Sequence, residues 1–94
     1  MKNKYLNIYC KISGRVQGVG FRVWTKKTAE KYILTGWVKN CEDNTVECEL
    51  SGLNKNLSAF LKDCLHGPIL SSVKDVKTKE KPFERFESFT IYYK

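Results

Sequence analysis

The sequence predicts an α+β fold: a ferredoxin-like βαββαβ sandwich, with two helices on one face of a mainly antiparallel sheet of four to five strands. Three observations carry that expectation. Apolar and polar residues alternate near the start, in the middle and at the end of the chain, which is the period of half-buried strands. Between those runs, two stretches switch to helical spacing. Glycines and prolines stand where one period gives way to the other. At 94 residues, 41% hydrophobic and 29% charged, the chain suits one folded domain over 1–94 with a single core.

Each element has its own reason. Over residues 5–13, Leu6, Ile8, Cys10 and Ile12 share one face, and Tyr5, Asn7, Tyr9 and Lys11 the other, as in a strand with one buried side. A glycine-rich loop over 14–20 follows. Residues 21–33 carry Phe21, Trp24, Thr25, Thr28, Ala29, Tyr32 and Ile33 on one helical stripe, with Lys26, Lys27, Glu30 and Lys31 on the wet side. Gly36 and Trp37-Val38-Lys39-Asn40 begin a second strand. Glu42-Asp43-Asn44 is turn chemistry, with Asn44 suited to the left-handed conformation. A three-residue turn there pairs Asn40 with Val46 and Val38 with Cys48, and puts Val46, Cys48 and Leu50 of a third strand over 45–50 on one face. Ser51-Gly52 is expected to break that strand. Leu57, Phe60, Leu61, Cys64 and Leu65 make a second amphipathic helix, stopped by Gly67-Pro68. Residues 73–79 read as a fourth strand with a bulge, because Val73 and Val76 differ in parity. A charged loop over 79–85 contains Pro82. Phe89, Ile91 and Tyr93 alternate as a last strand.

Composition narrows the partners. The formal net charge is +7, which favours anions: phosphates, acidic metabolites or nucleic acid. No apolar run exceeds three residues, so the pattern predicts no membrane span and no export signal, and hence a cytoplasmic location. Cys10, Cys41, Cys48 and Cys64 form no CxxC pair, and His66 has no neighbouring ligand. They read as small buried hydrophobes of a reducing compartment, not a metal site.

The loop is the first candidate for chemistry. Three glycines in seven residues let backbone N–H groups turn inward and approach a ligand. Such a loop opening into a helix is an anion site. Arg15, Val16, Gln17, Gly18, Val19 and Gly20 supply the amides. No Lys-Ser or Lys-Thr follows the last glycine, so a nucleotide P-loop is disfavoured. On its own the loop suits a tight strand-to-helix connection almost as well. Arg22 changes the balance: a cation in the first helical turn faces the positive end of the macrodipole, and is favourable there only with an anion. Asn40 is the second candidate. Its amide can accept from and donate to a water without acting as a base, although a strand-end asparagine alone is ordinary turn chemistry. No Asp, Glu, His or Cys lies within 14–22. Hydrolysis here would rest on positioning and charge stabilisation, which suits an already activated phosphate such as an acyl phosphate.

Gly14-Arg15-Val16-Gln17-Gly18-Val19-Gly20-Phe21-Arg22 resembles the signature of the acylphosphatase family. Gly36-Trp37-Val38-Lys39-Asn40 is similar to that family's second motif. Gly67-Pro68 and Phe86-Glu87-Ser88-Phe89-Thr90-Ile91-Tyr92-Tyr93 extend the resemblance over nearly the whole chain. The resemblance implies hydrolysis of the carboxyl–phosphate bond of acyl phosphates, to a carboxylate and inorganic phosphate, with no metal or other cofactor. It implies that Arg22 and the loop amides bind the phosphoryl group and that Asn40 orients the attacking water. Inorganic phosphate should compete as product. The sequence departs from the family pattern at Cys41, where Thr or an apolar residue is common, and at the turn, which lacks a glycine. Whether the C-terminal carboxylate of Lys94 reaches Arg22 stays open at this level.

Other readings compete. A nucleic-acid-binding sheet would want aromatics on its third strand, but Thr45-Val46-Glu47-Cys48-Glu49-Leu50 carries two acids and no aromatic. A non-catalytic phosphate- or anion-binding module, or a carbamoyl-phosphate-handling domain, would use the same cradle. The expectation is a monomeric enzyme acting on a small acyl phosphate, with no nucleic acid and no membrane.

Overall fold

Alternation along the first run folds as β1 (Tyr5–Arg15), and the helical stripe after the glycines as α1 (Phe21–Lys31). The chain continues through β2 (Thr35–Asn40), β3 (Val46–Leu53), α2 (Asn54–Cys64), β4 (Ser72–Lys81) and β5 (Phe89–Tyr92). This is a computed structural model, and it describes residues 4–93. The five strands form one sheet in the order β4-β1-β3-β2-β5. β5 runs parallel to β2 and all other neighbours are antiparallel. The expected βαββαβ sandwich is therefore present, with β5 as one further strand.

One face of the sheet makes the core. Leu6, Cys10 and Ile12 of β1 and Val46, Cys48 and Leu50 of β3 are buried against Phe21 and Ala29 of α1 and Leu57, Phe60 and Cys64 of α2. Trp24 joins the helices, its ring 5.4 Å from Phe21 and 6.0 Å from Phe60. Thr25 is buried without penalty because its hydroxyl donates back to Phe21 O at 2.8 Å. Of the thiols, Cys10, Cys48 and Cys64 are buried as expected, and Cys41 is half-buried.

Turn chemistry sets the register as expected. Asn44 takes φ 71°. Its amide donates to Cys41 O at 3.2 Å, and Cys41 N donates to Thr45 O at 2.9 Å. Asn40 then faces Val46, and Val38 faces Cys48. The bulge also appears: the β1–β4 ladder shifts between Ser13 and Gly14, where Lys74 is the extra residue between Val73 and Asp75.

Several boundaries differ from the expectations. β1 runs on through Gly14 and Arg15, which pair with Val73 and Ser72, so the loop proper is 16–20. Ser51-Gly52 does not break β3. A Cβ on Gly52 would lie 2.5 Å from Leu34 Cδ2, so this glycine serves a close approach within the strand. Ile33 leaves the buried stripe: α1 ends at Lys31, Ile33 adopts φ 58°, and it is 82% exposed. Leu65 falls just past the end of α2 and is 59% exposed. β4 extends to Lys81, which shortens the charged loop to 82–88.

That loop covers the second face of the sheet. Asn7 and Glu49, both pointing away from the helices, are buried beneath it. Asn7 Nδ2 donates to Glu49 Oε2 at 2.8 Å, Lys81 Nζ lies 3.1 Å from Glu49 Oε1, and Glu84 N donates to Asn7 Oδ1 at 3.0 Å. Phe83 packs edge-on to Tyr5 at 5.4 Å. The buried carboxylate is tolerated because both of its oxygens are partnered.

Candidate active site

The loop between β1 and α1 is pinned at both ends and open in the middle. Val16 and Phe21 are buried in the core. Between them, Gly18 and Gly20 take φ 74° and 77°, which L side chains rarely adopt. Nothing lies within 4 Å of a Cβ built on either; the left-handed backbone, not crowding, demands glycine. Among the described residues, no amide of 17–20 donates a hydrogen bond to a backbone or side-chain acceptor. Gly20 is also the N-cap of α1 and offers no side-chain cap. The unpaired amides and the positive end of the helix dipole therefore meet at one place.

Arg22 sits in that first turn. Its Nη1 donates to Tyr92 O at 3.3 Å, and its guanidinium carbon lies 4.7 Å from the centre of the Tyr93 ring. No carboxylate of the described residues pairs with it. Among the described residues, a cation facing the positive helix end is thus held only by neutral groups. Lys26, one turn on, donates to Phe89 O at 2.6 Å. Two cations of α1 thereby fasten to β5, which explains how a four-residue edge strand reaches the site. In the parallel ladder Lys39 faces Tyr92, so the chain leaves β5 beside Asn40.

Asn40 ends β2, half-buried, and its side chain makes no hydrogen bond among the described residues. It lines one pocket with Gly18, Gly20 and Arg22, walled by Val16, Val23 and Tyr93. The pocket measures about 110 Å³, or roughly four water volumes at ~30 Å³ each. Among the described residues its lining contains no carboxylate, imidazole or thiol. The acids nearby are engaged elsewhere. Hydrogen bonds from Thr45, then from Lys11, hold Asp43 down at about 2, and Lys11 Nζ lies 3.1 Å from it. The Tyr9 hydroxyl donates to Glu47 and holds that carboxyl below its ordinary value. Burial pushes the Cys41 thiol up. A wider cavity of about 420 Å³ opens between Tyr5, Ile33, Phe83 and Arg85, apart from Arg22 and Asn40.

The structure therefore brings Arg22 and Asn40, eighteen positions apart, to one pocket with Val16, Gly18 and Gly20. Arg15 stands apart, its backbone in the β1–β4 ladder opposite Ser72. Val19 packs on the core. Gln17 sends its side chain to the β2–β3 turn. Val23 and Tyr93 line the pocket without having been singled out in the sequence. Val23 is an exposed apolar residue beside Arg22, which was a weak local signal. Tyr93 had none beyond the strand alternation, because its place depends on β5 pairing with β2. The open question of the Lys94 carboxylate and Arg22 falls on Lys94, outside the described residues.

Comparison with known proteins bears on this site. A family model described as Acylphosphatase matches residues 8–91. An acylphosphatase of Bacillus licheniformis is 47% identical over 83 residues, 87% of this chain and 92% of that protein. An acylphosphatase of Clostridium acetobutylicum is 44% identical over 94 residues, covering 99% of this chain and all of that one. The crystal structure of acylphosphatase from Bacillus subtilis superimposes with a TM-score of 0.91 at 37% identity, covering 94% of this chain and 99% of that one.

Proposed function

The chain belongs to the acylphosphatase family and is an acylphosphatase, and from that premise we propose how its residues carry the reaction. The phosphoryl oxygens of an acyl phosphate bind the amides of the 16–20 loop and the Arg22 guanidinium. Arg22 is the one cation among the described residues lining the pocket, and its fork suits two oxygens of one phosphoryl group. The Asn40 side-chain oxygen accepts a hydrogen bond from a water and aims its oxygen at phosphorus. That oxygen bonds to phosphorus as the bond from phosphorus to the carboxyl oxygen breaks. The departing carboxylate keeps the electron pair, and the water proton passes to solvent or to the nascent phosphate.

No general acid is needed, since a carboxylate is a weak base with a conjugate-acid pKa of about 4. Among the described residues no general base lines the pocket, and Asn40 cannot act as one. Catalysis is then orientation plus stabilisation of charge on the equatorial oxygens, as phosphoryl transfer generally allows. The observation that carries the reading is the convergence of Arg22, Asn40 and unpaired amides on one small pocket whose described lining holds no ionisable base. Nothing in the lining reads a particular acyl group beyond the apolar Val23 and the Tyr93 ring.

The test is benzoyl phosphate hydrolysis in EDTA with inorganic phosphate as competitor. Asn40→Ala should lose turnover, by about 10²-fold or more, with the phosphate inhibition constant nearly unchanged. Full activity in Asn40→Ala would remove the water-orienting role. Wild type that binds phosphate yet turns over no substrate would favour a phosphate-binding module.

A further inference from the structure

Asn40 and the phosphate cradle belong to different elements, and one side chain joins them. Gln17 Nε2 donates to Cys41 O and to Thr45 O, each at 2.9 Å. Both acceptors are backbone carbonyls, so the carboxamide must present its N–H₂ to them and turn its oxygen away. Cys41 directly follows Asn40, and Cys41 and Thr45 are the two ends of the turn. Both donors of one amide thus bridge the two strands of the hairpin just beyond Asn40.

The hairpin does not need Gln17 to close. Cys41 O already accepts from Asn44 N, and Thr45 O from Cys41 N. A carbonyl oxygen has two lone pairs, and Gln17 takes the second of each. The loop, by contrast, has little else to hold it. The amides of 17–20 are unpaired and the left-handed glycines stand in open space. Between the buried Val16 and Phe21, Gly20 O accepts from Trp24 N at 3.0 Å where α1 begins, and ahead of it the packing of Val19 and the reach of Gln17 locate the backbone.

We propose that Gln17 is a positioning residue for the hydrolysis: its carboxamide locks the phosphate cradle to the β2–β3 hairpin and so sets the distance from the bound phosphoryl group to the water held by Asn40. This rests on the water-orienting role of Asn40 described above. Gln17 acts through other groups. It does not line the pocket, and its own side chain need not touch substrate. Its loss leaves both halves of the site present but out of mutual register, and an error near 1 Å can cost roughly 10²-fold in rate.

The experiment is a double-mutant cycle of Gln17→Met with Asn40→Ala, read by benzoyl phosphate turnover and phosphate inhibition. Gln17→Met keeps the length of the side chain without its donors. It should lower kcat by roughly tenfold or more while shifting the phosphate inhibition constant by less than about threefold. In the Asn40→Ala background the same substitution should change kcat by less than about twofold, because the group it positions is gone. Gln17→Met with kcat within about twofold of wild type overturns the proposal. So does a loss that multiplies in full onto that of Asn40→Ala, which would mark a merely structural role. If Asn40→Ala alone is fully active, the water-orienting role fails, and kcat of the single Gln17→Met variant then decides the strut by the same two thresholds. Should Gln17→Met not fold, Gln17→Asn, which keeps the amide but cannot span the gap, is read in the same way.

Discussion

Removing Arg22 should abolish phosphate binding while leaving the fold nearly as stable, and the two halves of that expectation have separate magnitudes. Two charge-assisted hydrogen bonds to a phosphoryl group contribute about 1.5–3 kcal/mol each. Arg22→Ala should therefore lower kcat/KM by about 10² to 10⁴. On the stability side the terms oppose one another. Removing a cation from the first turn of α1 relieves about 0.3–1 kcal/mol of dipole repulsion. Losing the Tyr93 ring contact, 4.7 Å from the guanidinium carbon, costs about 0.5–1 kcal/mol. The 3.3 Å bond to Tyr92 O is long and adds about 1 kcal/mol at most. The net cost is about 1.7 kcal/mol at the outside, with a shift in Tm of about 4–8 °C for each kcal/mol. Differential scanning fluorimetry with and without inorganic phosphate separates the two effects. Phosphate at a hundred times its Kd should stabilise wild type by about 2.7 kcal/mol, which is readily seen, and should leave Arg22→Ala unmoved. Equal stabilisation of both proteins by phosphate would refute the assignment of Arg22 to the phosphoryl group, as would kcat/KM within tenfold of wild type.

Three further outcomes test the fold that carries the site. Gly36→Ala should destabilise by about 2–5 kcal/mol, since φ is 145° and a Cβ would sit 1.8 Å from Glu49 O; a wild-type denaturant midpoint would contradict the register of β2 on β3. Asn7→Ala should cost about 1–3 kcal/mol, because Glu49, only 5% exposed, loses its 2.8 Å donor. Its kcat should not change, as Asn7 is remote from the pocket, and urea unfolding beside a turnover assay reads both. Stability should fall as pH rises above about 9. Burial holds the Cys64 thiol up at about 12 against an ordinary 9.0, and burial with the Glu47 hydrogen bond raises Tyr9 from 10.0. A group with a raised folded pKa stabilises fully below its unfolded value, and loses that contribution as pH climbs through the folded one. An unfolding midpoint at about pH 11 equal to that at about pH 8 would speak against it.

The legible parts of this protein are those whose cause is local. Parity along residues 5–13 marked the buried face of β1, and the turn residues 42–44 alone set the Asn40–Val46 register, because a side-chain period of two admits no partial slip. The parity conflict of Val73 and Val76 announced the bulge opposite Ser13 and Gly14. The illegible parts depend on partners far along the chain. Gly52 looked like a strand breaker, because clearance from Leu34 has no local signature. Asn7 and Glu49 looked solvated, because the loop that buries them comes more than thirty residues after Glu49.

The glycines, Arg22 and Asn40 were all visible in the sequence, since unusual backbone conformation and a misplaced charge leave their mark in residue type. Tertiary structure alone decided how they meet. It set β5 parallel to β2, which brings Tyr92 O and the Tyr93 ring to Arg22. It carried the Gln17 amide across 24 and 28 positions to the hairpin beside Asn40. Sequence by itself determined which groups the site contains, because chemistry is a property of residues. The distances between those groups came from the packing of strands and helices, because distance is a property of the folded chain.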